Sequence, residues 1–112
     1  MQSLRETSRH QLLAQQFSFE TSTLGDEEIQ ESLERIFTYV YSYTNIWYID
    51  FIDEGTLYNY IKKQQELPDG VDFYQAVRDV KNYLYFLRYI KRSRNIPDID
   101  LSIQNLLLWT KM

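Results

Sequence analysis

Residues 71–94 read VDFYQAVRDVKNYLYFLRYIKRSR, an uninterrupted run whose apolar positions recur at helical intervals. Pro68-Asp69-Gly70 stands before it and Pro97 after it, and both limit a helix because proline donates no amide and disfavours helical geometry in the residue it follows. At about 100° per residue, Phe73, Val77, Val80, Leu84 and Leu87 fall on one stripe. Arg78, Lys81, Tyr85, Arg88, Tyr89 and Arg92 fall on a neighbouring one. The first stripe predicts a long helix over 72–95 seated on a core. The second interleaves cations with phenol rings, a mixture suited to polyanions or acidic protein surfaces. Asp72 with Gln75 three residues on has capping-box spacing, and Lys91, Arg92 and Arg94 fall in the last turn, where cations suit the helix dipole.

A second amphipathic segment starts at Asp26. Ile29, Leu33, Ile36, Phe37, Val40 and Thr44 share one face, with Glu27, Glu31, Glu34, Arg35, Thr38 and Ser42 opposite. Residues 45–52, NIWYIDFI, are β-branched and aromatic enough for a strand, yet no second strand-like run exists to pair with them, so a buried apolar connector is expected. Asp53 then suits the N-cap of a helix through Leu57, Tyr58, Tyr60 and Ile61, and Ser102 or Asp100 can cap a short one carrying Ile103, Leu106, Leu107 and Trp109. Upstream, Leu4, Leu12, Leu13 and Phe17 have loosely helical spacing before the polar TSTLG at 21–25, which reads as a short or frayed helix and a connector. The fold class is therefore all-α: an N-terminal segment, 1–25, and one helical domain, 26–112, forming a compact bundle of four to five helices. Its core is expected to hold Ile29, Leu33, Ile36, Phe37, Val40, Leu57, Ile61, Phe73, Val77, Val80, Leu84, Leu87, Leu106 and Trp109.

A chain of 112 residues can bury roughly two thirds of its unfolded surface in one domain without disulfides or metals. Ten of those residues are Tyr, so some rings must be partly exposed or at an interface. Cysteine is absent, which excludes disulfide scaffolds and thiol catalysis. The net charge of -4 conceals a polarity: residues 1–60 carry ten acids against three bases, and 61–112 carry nine bases against six acids. Any DNA binding must come from a local patch and should be weak and salt-sensitive. The first 20 residues lack a signal-peptide core, and apolar runs stop far short of the roughly 20 residues a membrane span needs. A soluble cytoplasmic protein without membrane contact is expected.

Catalytic chemistry finds little support. His10 is the only histidine, glycines do not cluster into a phosphate loop, and no metal-ligand spacing occurs. Asp50, Asp53 and Glu54, and Asp98 with Asp100, read as caps or solvated loop charges. Neither an enzyme nor a cofactor is expected. Glu27, Glu31 and Glu34 read as a solvated face, with contact to a basic partner, or to the basic stripe of a second copy, as the other reading. Tyr39, Tyr41, Tyr43, Trp47 and Tyr48 form a second aromatic concentration. Core packing explains much of it, and a wet-edged ring among them suits a protein interface.

The first amphipathic helix, the connector ending Ile49-Asp50-Phe51-Ile52-Asp53, the helix LYNYIKK, the Pro/Gly turn and the long helix with Tyr83-Leu84-Tyr85-Phe86-Leu87-Arg88-Tyr89-Ile90 together resemble the core-binding, SAM-like helical domain of tyrosine recombinases. The resemblance covers roughly residues 29–108. Within that class the chain's length, Tyr43-Thr44-Asn45 after the first helix, and Leu101-Ser102 with Leu108-Trp109-Thr110 near the end are similar to the small swarming-motility activator family of bacilli. Core-binding domains grip the DNA backbone as half of a clamp, and the activator family regulates flagellar transcription alongside a response regulator. Neither catalyses alone, so the resemblance implies no nucleophile among the tyrosines. The acidic first helix and a pI near 4.9 depart from an autonomous DNA binder. The expectation is a non-enzymatic bacterial regulatory or accessory protein, whose Arg78, Lys81, Tyr85, Arg88, Tyr89 and Arg92 contact a transcription regulator or DNA. The alternative is a protein-interaction or homo-oligomerisation module using Tyr39, Tyr41, Tyr43, Trp47 and Tyr48 without nucleic-acid contact.

Overall fold

The computed structural model describes residues 4–17 and 27–110. Asp26, the 21–25 connector and the Trp109 side chain lie outside what it describes. Among the described residues there are five α-helices and no strand: α1 (Leu4–Phe17), α2 (Glu27–Tyr43), α3 (Glu54–Glu66), α4 (Phe73–Tyr85) and α5 (Ile103–Thr110). A 3-10 turn (Ile49–Phe51) precedes α3, and a π turn (Phe86–Ile90) continues α4. No helix among these residues is long and apolar enough to cross a membrane.

The helix starts follow from side-chain capping. Asp53 accepts hydrogen bonds from the Thr56 amide and hydroxyl, both at 2.9 Å. Asp72 accepts the Gln75 amide at 2.8 Å, and Ser102 accepts the Asn105 amide at 3.3 Å. Each satisfies an amide that lacks a helical acceptor. The capping box at Asp72 is only half made, because the Gln75 side chain turns inward to donate to Asp79 at 3.0 Å. Between α3 and α4 the chain doubles back so tightly that a Cβ on Gly70 would lie 1.9 Å from the Gln64 carbonyl oxygen. Only glycine fits there.

α4 lies across α2 and α3. Ile29, Leu33, Ile36 and Val40 from α2 meet Leu57 and Ile61 from α3, Val80 from α4 and Leu106 from α5 in one buried cluster. The inward face of α4 is rotated relative to the stripe expected from the sequence. Ala76, Asp79, Val80 and Tyr83 are buried, whereas Phe73, Val77 and Leu84 sit half-buried at the flank. Four tyrosines, 39, 58, 60 and 83, are core residues.

That rotation places a carboxylate in the interior. Asp79 is fully buried and accepts five hydrogen bonds: from Ser32 Oγ at 2.7 Å, Arg35 Nε and Nη2 at 2.8 Å each, Tyr60 OH at 2.5 Å and Gln75 Nε2 at 3.0 Å. Asn82 extends the network by donating to Ser32 Oγ at 3.0 Å. Arg35, expected on the outer face of α2, is thus turned toward α4. A buried charge is tolerable only when paired and fully hydrogen-bonded, and here the pairing ties α2, α3 and α4 into a single relative orientation.

α1 is joined to the bundle by a second buried ion. Arg9 is almost wholly enclosed and donates to the carbonyls of Val40, Tyr41, Thr44 and Ile46 at 3.1, 3.0, 2.6 and 3.0 Å. These carbonyls lie at the C-terminus of α2 and just beyond it, where a cation also meets the negative end of the helix dipole; the Val40 carbonyl accepts the Thr44 amide and hydroxyl as well. Two turns further along, Gln16 donates to the Trp47 carbonyl and accepts the Ile49 amide, both at 2.9 Å. Leu13 and Phe17 enter the core from the same helix. The stretch expected to be short or frayed is a helix of 14 residues, with both polar and apolar docking.

The connector departs from its expected burial. Ile52 is enclosed, but Tyr48 and Phe51 are 49% and 68% exposed, and Ile46, Trp47 and Ile49 are half-buried. Bonds from α1 to its backbone fix its path, so its rings need not all point inward.

Candidate functional site

The six residues of the basic and aromatic stripe lie on α4, the π turn and the segment that follows, and the structure divides them. Arg78, near the start, is exposed but engaged: its guanidinium grips the Glu28 carboxylate of α2 through two donors, one at 3.2 Å. The Arg78 guanidinium holds the Glu28 carboxyl below the usual carboxylate range. Lys81 is exposed beside an open groove of about 490 Å³ between α4 and α5.

The other four gather where α4 ends. Lys91 donates its amide to the Phe86 carbonyl at 2.9 Å, a five-residue span that widens the helix by one residue. Within that turn Phe86 and Leu87 are both buried while Arg88 and Tyr89 are both exposed. Tyr85 and Tyr89 are 44% and 59% exposed, with ring centroids 4.8 Å apart and planes inclined by 45°. The helix expected to reach residue 95 stops after Ile90. Arg92 adopts a left-handed backbone with φ 50°, and Ser93 closes the end by donating its amide to the Leu87 carbonyl at 2.8 Å. This is a C-terminal stop of the kind glycine usually provides, made here by an arginine. The run Lys91, Arg92 and Arg94 therefore lies beyond the helix rather than in its last turn. It remains exposed, with the Lys91 ammonium 5.9 Å from the Phe86 ring.

The second aromatic concentration is dispersed. Tyr39 is buried against Tyr60 and stacks on Tyr43, while Lys63 lies over the Tyr43 ring at 4.8 Å, so these two face α3. Burial pushes the Tyr39 phenol up. Tyr41 faces α1, with the Arg9 guanidinium 5.0 Å from its ring and His10 edge-on at 4.9 Å. Trp47 and Tyr48 lie on the connector, where Tyr48 meets Phe51 at 6.2 Å. They do not form one patch.

The acidic residues behave as local structure. Asp53 caps α3 and Asp100 accepts the Ser102 amide at 2.9 Å, and backbone hydrogen bonds hold both carboxyls low. No group of three or more potential metal-binding side chains is assembled among the described residues. The Asp79 network and the Arg9 clamp are what the sequence reading missed. Asp79 was signalled by its spacing from Ala76 and Tyr83 on the face that becomes buried. Arg9 left no local signal, since its acceptors are backbone carbonyls more than 30 residues away.

Comparison of the chain with protein-family models, curated proteins and solved structures finds no match.

Proposed function

We propose that this chain is a non-enzymatic bacterial regulatory protein that engages a DNA-bound transcription regulator, or DNA itself, through the exposed end of α4. Arg88 and Arg92 make the charged contacts, Tyr85 and Tyr89 supply ring faces, and Lys81 adds charge from the preceding turns. Arg78 contributes less, because Glu28 already holds it.

The observation that carries this reading is the left-handed Arg92 next to a π turn. Glycine holds that backbone at lower cost, so an arginine there is best explained by what its side chain does. Arginine also pairs bidentately with carboxylate or phosphate and stacks on rings, which suits either partner. The resemblance to recombinase core-binding domains and to the swarming-motility activators supports the same reading. The chain's overall acidity favours a protein partner, or DNA reached through one.

The test pairs two assays. Fluorescence anisotropy with a duplex of about 20 base pairs should show weak binding that falls steeply with salt. Affinity capture from the native host should retain a transcription regulator. Arg88→Glu with Arg92→Glu should abolish both while leaving the helical signal unchanged. If the double variant matches wild type in both assays, the reading fails. A second reading, protein contact without nucleic acid, rests on the exposed Tyr48 and Phe51; a regulator lost from Phe51→Ser but kept by the arginine variant would favour it.

A further inference from the structure

We infer that the basic end of α4 also docks on the outer face of α2 in a second copy of this chain, joining copies head to tail. The acceptor surface is an open groove of about 440 Å³ between α2 and the turn ahead of α4. Glu31, Glu34 and Asp69 stand exposed along it, with Tyr39, Tyr43 and Leu67 among its lining. None of the three carboxylates makes an ion pair among the described residues. At the far end of α4, Arg88, Arg92 and Arg94 are likewise exposed and without ion pairs among the described residues.

One molecule cannot bring the two surfaces together. Asp69 and Gly70 precede the first turn of α4 and the arginines follow its last. The helical stretch between them, 73–87, spans about 22 Å at 1.5 Å per residue. Each copy thus presents a cationic end and an anionic groove that only another copy, or another partner, can neutralise. Arg35 also lines the groove, but Asp79 already pairs its guanidinium, so Glu31, Glu34 and Asp69 carry the charge left open to a partner. Two different surfaces meeting in this way make a heterologous contact, which builds rings or open chains rather than a two-fold dimer.

This inference rests on the proposed function only in taking the same arginines as a contact surface, and the two can fail separately. Sedimentation of the full chain, without DNA, should show a mass that rises with concentration past the dimer at about 50 mM salt and returns to monomer at about 500 mM. Arg88→Gln with Arg92→Gln loses the cationic end, and Glu31→Gln with Glu34→Gln loses the groove charge, so each double variant alone should be a monomer. Mixed in equal amounts, they retain one intact surface each and should form a dimer and nothing larger. A wild type that stays monomeric at low salt, a plateau at the dimer, or variants that fail to recombine would each overturn the inference. The glutamine variant of α2 should still bind duplex DNA or the captured regulator like wild type, so loss of self-association leaves the functional reading intact.

Discussion

Tyr60 donates its phenol proton to Asp79 across 2.5 Å, linking the middle of α3 to the buried face of α4. The same carboxylate takes both donors of Arg35, so one side chain sets how three helices lie together. Replacing Asp79 by Asn removes the charge that Arg35 and Tyr60 both require. The expected loss is about 3 kcal/mol, at the low end for a broken buried pair because Arg35 keeps some contact with water. Tyr60→Phe, which deletes one donor, should cost about 1–2 kcal/mol. Urea unfolding of both variants checks the order.

Acid should act through the same group. Burial by itself would raise the Asp79 carboxyl, but hydrogen bonds from Arg35, Tyr60, Gln75 and Ser32 outweigh it and hold the group below the usual range. A carboxyl depressed by folding stabilises the fold above its unfolded value, about 3.9, and that contribution fades as pH falls through the folded value. Wild type should therefore weaken as the pH drops below about 4, and Asp79→Asn should show a flatter dependence there. Urea midpoints followed from neutral to acidic pH provide the comparison. Parallel curves for the two proteins would assign the acid sensitivity to other carboxylates.

Arg9→Met keeps an apolar stem but takes the guanidinium donor from the carbonyls of Tyr41, Thr44 and Ile46, while the Val40 carbonyl keeps the Thr44 amide and hydroxyl. A loss of about 2–4 kcal/mol is expected, from unmet buried acceptors and the lost interaction with the helix end. Amide exchange should quicken first in α1, ahead of α4.

Gly70→Ala forces a methyl group against the Gln64 carbonyl, a backbone atom that cannot swing aside. The turn must open, at about 1–3 kcal/mol. A thermal melt suffices to detect it.

Arg92→Gly separates stability from binding. Relieving the left-handed backbone should stabilise the fold by about 0.5–1 kcal/mol, while removing one cation should weaken the contact with DNA or regulator. A variant that gains stability and binds as well as wild type would remove Arg92 from the site.

The all-α class, the caps at Asp53, Asp72 and Ser102, and most of the aliphatic core were legible because they follow from spacing and local hydrogen bonding. The inward face of α4 was harder to read. Counting only aliphatic and Phe positions drew the stripe through Phe73, Val77 and Leu84, whereas the true face runs through Ala76, Asp79 and Tyr83, two of which carry polar atoms. A carboxylate looks like surface until its partners on α2 and α3 are in place, and those are 44 to 47 and 19 residues away. The end of the candidate site was misplaced for a different reason. A π turn and a left-handed arginine leave no periodic trace, so an ideal helix was continued to residue 95.

The Arg9 clamp also carries a consequence for the order of assembly. Its four acceptors lie 31–37 residues downstream, and they converge on one guanidinium only once α2 has formed and ended. A chain synthesised from its N-terminus presents the arginine long before anything exists for it to hold. α1, although first to be made, is therefore the late arrival, closing onto a neighbour whose end must already be built.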